Sequence, residues 1–148
     1  MSLTFQLTKS RRYFSFSDDV KTIADFRYNE HSNSFRLNAS TKRLLFIEPS
    51  GLLQNKLLLK TEYGIEIGEW MRMRNYKSGI VHLNSNRFTY NIGLEGIEMN
   101  NGEANVFLQC QPADIAELTK QELAAILFCL AWVTIETCKK RSLAKESV

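Results

Sequence analysis

From Leu123 to Val133 every residue is apolar, in the order Leu-Ala-Ala-Ile-Leu-Phe-Cys-Leu-Ala-Trp-Val, and Thr134 and Ile135 extend the run before Glu136 ends it. The run exceeds an ordinary strand and is rich in strong helix formers such as Ala124, Leu127 and Leu130. Thr119 and Glu122 stand in capping-box register just before it. Lys139, Lys140 and Arg141 follow, where cations suit the negative end of a helix dipole. The pattern predicts a helix over about 119–140. Its apolar stretch rises about 1.5 Å per residue and spans about 20 Å, short of a ~30 Å hydrocarbon core. Leu123, Ile126, Leu127, Leu130, Trp132 and Val133 leave no polar azimuth. A helix apolar all round must be enclosed, and if lipid is too thick the rest of the chain must do it. Trp132 is accordingly expected to be surrounded by strands.

The remainder reads as strands. Short runs of strand character recur every 8–12 positions or so, separated by turn residues. Arg12–Phe16, Phe26–Tyr28, Leu44–Ile47, Leu52–Lys60, Ile65–Ile67, Ile80–Leu83, Phe88–Ile92, Ile97–Met99 and Ala104–Leu108 are the segments. Pro49-Ser50-Gly51 reads as a turn, and Asn100-Asn101-Gly102 is the strongest hairpin signal. Asp18 to Ala24 leaves room for a short helical turn. Many antiparallel strands and one helix that must be surrounded predict a mainly β fold. We expect a closed antiparallel barrel of about twelve strands around a hydrophobic C-terminal helix.

At 148 residues the chain fits one domain, 1–148, with 142–148 expected to be a frayed tail. A net charge of +3 is too small to indicate nucleic acid, and none is expected as a partner. Its distribution is uneven: residues 1–77 hold 13 Lys/Arg against 8 Asp/Glu, and residues 78–148 hold 6 against 8. Cys110, Cys129 and Cys138 are an odd, unpaired set, which fits a reducing compartment. The first twelve residues lack the apolar core of a secretory signal, so a cytoplasmic location, peripheral to the membrane, is the expectation.

Chemistry is sparse. His31 and His82 have no partner at metal-ligand spacing, and no Walker, Rossmann or nucleophile-elbow motif occurs. No cofactor or metal is expected. Glu95, Glu98 and Glu103 lack the oxygen-ligand spacing of an EF-hand. The best binding candidate is Arg72, Arg74 and Lys77, interleaved with Trp70 and Tyr76. At a period of two, Trp70, Arg72, Arg74 and Tyr76 share one strand face, read as the outer one, with Met71 and Met73 on the other. Two guanidinium groups so placed can engage a phosphate headgroup.

The stretch Glu62-Tyr63-Gly64-Ile65-Glu66-Ile67-Gly68, then Gly79-Ile80-Val81-His82-Leu83 and Phe88-Thr89-Tyr90, resembles the strand cadence of tubby C-terminal-like domains. The apolar helix followed by Lys139-Lys140-Arg141 is similar too. The tubby, LURP-one-related and phospholipid scramblase families share a twelve-stranded barrel threaded by a hydrophobic helix, and the resemblance covers roughly residues 40 to 141. It implies a non-catalytic module that binds a lipid headgroup, a membrane surface or a protein. The basic phosphate-binding motif of tubby and the Cys-rich cluster of scramblases have no clear counterpart here. An enzyme whose site assembles from scattered residues on the barrel surface is the alternative.

Overall fold

The computed structural model describes residues 2–8, 12–50, 56–73 and 77–146, without the side chains of 140–146. Eleven strands form one closed barrel in which each pairs with its neighbours in sequence. They are β1 (Ser2–Thr8), β2 (Tyr13–Ser17), β3 (Thr22–Asn29), β4 (Ser34–Asn38), β5 (Lys42–Ser50) and β6 (Lys56–Thr61). There follow β7 (Glu66–Arg72), β8 (Ser78–Leu83), β9 (Asn86–Ile92), β10 (Gly96–Asn100) and β11 (Asn105–Gln109). A short helix α1 (Pro112–Ala116) then turns the chain into the long helix α2 (Lys120–Glu146).

Eleven strands, against about twelve expected, have a topological consequence. In an up-and-down barrel an odd count makes the first and last strands run the same way. β1 and β11 therefore close the barrel as its one parallel pair among the described residues, with Leu3 opposite Leu108. With strands ~4.8 Å apart and tilted by ~40°, eleven give a radius of about 11 Å. That matches a central helix plus one layer of inward side chains, since sheet-like layers pack about 10 Å apart.

Alternation along each strand supplies that layer. Leu3 and Phe5, Phe14 and Phe16, Ala24 and Phe26, Leu45 and Ile47, Leu57 and Leu59, and Val106 and Leu108 all point inward and are buried. Five phenylalanines from β1 to β4 form a continuous cluster, with the Phe14 and Phe26 rings stacked at 4.8 Å between centroids. From the axis, Leu123 through Ala131 are buried without a break, with Val133 and Thr134. The Thr134 hydroxyl donates to the Leu130 carbonyl at 2.7 Å, so the one polar side chain in this stretch of helix is satisfied within it. Gly68 shows how close the layers come: a Cβ there would lie 3.1 Å from the Phe128 ring and 2.9 Å from the His82 carbonyl oxygen. Lys120–Lys139 is long and apolar enough to cross a membrane by length and composition, and 67% of its most apolar stretch is buried inside the barrel.

Several expectations are corrected. Trp132 is half-buried rather than surrounded: it lies where α2 leaves the barrel, and its indole N–H donates to Glu136 Oε1 at 2.8 Å. At the rim its indole N–H meets a carboxylate while the ring still packs on the core. Pro49 does not end β5 but stands on it opposite Leu57, its ring exposed, and Gly51 lies outside the described residues. Asp18 to Ala24 is a tight turn leading into β3, with the Val20 and Lys21 amides both donating to Asp18 Oδ1 at 2.8 Å. α2 continues to Glu146, past the expected end near 140, because Ser142 to Glu146 contains neither Gly nor Pro to stop it. Residues 147–148 of the expected tail lie outside the described residues.

Candidate functional site

Two features meet where α2 begins. The first is an ion pair with a buried acid and a part-exposed base. Thr119 and Glu122 form the reciprocal capping box: the Glu122 amide donates to Thr119 Oγ1 at 3.1 Å and the Thr119 amide to Glu122 Oε1 at 3.0 Å. Arg12, in the loop before β2, then reaches across 110 residues of sequence and clamps the same carboxylate. Its Nε donates to Oε2 at 2.6 Å and its Nη2 to Oε1. Glu122 is wholly buried, and the guanidinium also lies 5.8 Å over the Phe14 ring. Nothing in the sequence near either residue signals this pairing; only the capping box was legible.

The second feature is a cavity of about 560 Å³ at the same end of the barrel. The end of β9, the turn after it, α1 and the first turn of α2 surround it. Ile92, Leu94, Pro112, Ile115, Leu118 and Leu123 supply its apolar lining, with Lys77, Thr119 and Lys120 as its polar groups. Among the described residues the lining contains no carboxylate. The turn is pinned by the Ile92 amide donating to the Lys77 carbonyl at 2.6 Å and the Gly93 amide to the Gly96 carbonyl at 2.9 Å. It thrusts Leu94 into solvent, 85% exposed, and Met73 just past β7 is 56% exposed.

The predicted basic strip is redistributed by this geometry. Trp70 is fully buried, so the face it shares with Arg72 is the inner one, and the outer-face assignment is wrong. Trp70 and Arg72 do share one face, but it is turned inward, and β7 ends at the barrel rim. There a charged side chain can follow a buried tryptophan on the inner side and still reach water. Trp70 therefore stacks on no ligand: its Nε1–H donates to the Tyr90 hydroxyl at 2.9 Å. Gly79 on β8 leaves room for that ring, since a Cβ would lie 2.7 Å from the Tyr90 hydroxyl and 2.6 Å from the Met71 carbonyl oxygen. Burial pushes the Tyr90 phenol up, opposed by the Trp70 hydrogen bond and by the charge of Arg72, which places Arg72 near this pair. Lys77 lines the cavity. Arg74 and Tyr76 lie outside the described residues.

Other candidates do not assemble. Among the described residues no three His, Cys, Asp or Glu side chains are grouped to hold a metal ion. Burial pushes the Cys110 thiol up to about 11 and raises that of Cys129, wholly enclosed by the barrel, further still. Neither is a thiolate at neutral pH, so neither is a ready nucleophile. His82 is half-buried on β8 opposite Arg87 and Glu69, and His31 sits in the exposed loop after β3. Asn101 Oδ1 accepts the amides of Glu103 and Ala104 at 3.0 and 2.8 Å, which makes the Asn100-Asn101-Gly102 tip a self-contained turn.

The opposite end carries a smaller cleft of about 380 Å³ beside Trp132, Glu136 and Arg43. Its centre is already occupied by internal bonding, because Ser40 and Trp132 both donate to Glu136 Oε1. The mouth at the start of α2 is thus the better binding site of the two. Comparison with family models, with curated proteins and with solved structures finds no match.

Proposed function

We propose that this chain is a non-catalytic, tubby-like module that docks on anionic lipid headgroups through the barrel mouth at the start of α2. The observation that carries this reading is the pairing of chemistries there. Lys77 and Lys120 border a cavity whose remaining walls are almost wholly apolar, while Leu94 and Met73 stand exposed nearby. Cations beside protruding apolar side chains suit the boundary between headgroups and acyl chains. Arg72 adds charge at the same rim. Asp114 and Glu117 on α1 and Glu95 on the turn border the lining without belonging to it. Kinship with the tubby group rests on a helix sheathed by a closed barrel, with eleven described strands where that group has twelve.

Co-sedimentation with vesicles tests the reading. The chain is expected to pellet with vesicles containing phosphatidylserine and to stay in solution with phosphatidylcholine alone. Each basic residue near such a surface contributes about 1 kcal/mol, so removing two charges in Arg72→Ala/Lys77→Ala is expected to weaken partitioning about 30-fold. Equal pelleting of wild type and the double variant would remove the mouth from the account.

A further inference from the structure

We infer that the mouth cavity holds one acyl chain of a single-chain anionic amphiphile, its head at Lys77 and Lys120 and its tail against Ile115, Leu118 and Leu123. The inference rests on the proposed lipid reading but goes further, from contact with a surface to extraction of one chain into a pocket. The volume, about 560 Å³, lies within the range of small-molecule sites, and a flat headgroup contact needs no such space. The lining combines two lysines and the Thr119 hydroxyl with apolar side chains of β9, α1 and α2. The Thr119 oxygen already accepts the Glu122 amide, which leaves its own proton to donate to a ligand anion. Two ammonium groups beside apolar side chains, with no carboxylate among the described lining residues, suit an anionic amphiphile better than a cationic one. Leu123 is the link to the fold, because it belongs at once to this lining and to the buried face of the core helix.

Titration calorimetry with octanoate, decanoate and dodecanoate below their micelle concentrations tests this on the wild-type chain. Burying a methylene is worth about a fourfold gain in affinity, so binding is expected to rise about 16-fold for each added pair of carbons until the cavity is full. Dodecyltrimethylammonium is expected to bind at least tenfold more weakly than dodecanoate. Gly93→Trp fills the mouth; a Cβ at Gly93 meets nothing within 4 Å, so the backbone admits the change. It is expected to abolish dodecanoate binding. Ala116→Trp, on α1, is the second filling variant should the first not fold. Affinity independent of chain length, or dodecanoate binding undiminished in a folded filled variant, overturns the pocket assignment. Vesicle binding without alkanoate binding overturns it while leaving the surface reading intact. Chain-length-dependent alkanoate binding without vesicle binding upholds the pocket and removes the membrane.

Discussion

Leu127→Asp is expected to leave no cooperative thermal transition, with the chain expressed unfolded or in aggregates. Leu127 sits at the centre of the buried stretch of α2 and is wholly inaccessible to water. Strands enclose the barrel on every side, so a carboxylate there has no route to solvent. Even after it takes up a proton and becomes neutral, the buried carboxyl lacks a partner and costs several kcal/mol. The lost leucine packing adds about 2–5 kcal/mol. A domain of this size has about 5–15 kcal/mol in total. Leu127→Ala is therefore expected to fold with a lowered melting temperature, and Leu127→Asp not to fold. Circular dichroism melts of the three proteins check this; a sharp transition in Leu127→Asp near that of wild type would mean that α2 is not sheathed.

The second large effect is an asymmetry. Arg12→Ala is expected to destabilise the protein by about 3–5 kcal/mol, and Glu122→Gln by clearly less. Removing the arginine strands a wholly buried carboxylate that still accepts the Thr119 backbone amide. Removing the carboxylate charge leaves a guanidinium that is 26% exposed and can turn to water. Glutamine can still accept the Thr119 amide and keep part of the cap. The double variant is expected to cost less than the two single changes added together, because once the acid is neutral the arginine has less to compensate. Urea unfolding midpoints measure all three. If Arg12→Ala changed stability by less than about 0.5 kcal/mol, the pair would be a surface contact, not the clamp that ties the start of α2 to the β1–β2 side of the barrel.

Part of this architecture is legible in the sequence and part is not. The apolar run was legible because covering every azimuth leaves a helix few environments, and its sheath followed from length. β8 to β11 were legible because alternation is clean and their turns carry Asn and Gly. β7 was split in two at Gly68, which looks like punctuation until Phe128 is seen to need the space. β1 and β4 were passed over although Leu3 and Phe5, and Phe35 and Leu37, alternate inward. Short strands with polar flanks gain their stability from partners distant in sequence, as β1 does from β11. For the site, charge points to Lys77, but nothing local points to the cavity. Its walls come from a turn, a five-residue helix and the core helix, which no local pattern joins. The Arg12–Glu122 clamp was out of reach for the same reason.

Hydrogen exchange along α2, read by mass spectrometry on the wild-type chain without lipid or detergent, tests the central arrangement. Amides from Leu123 to Thr134 are expected to be the slowest in the molecule, exchanging only with global unfolding, while those beyond Lys139 exchange quickly. Rapid exchange across 123–134, or protection there that appears only once detergent is added, would contradict a helix held inside its own barrel.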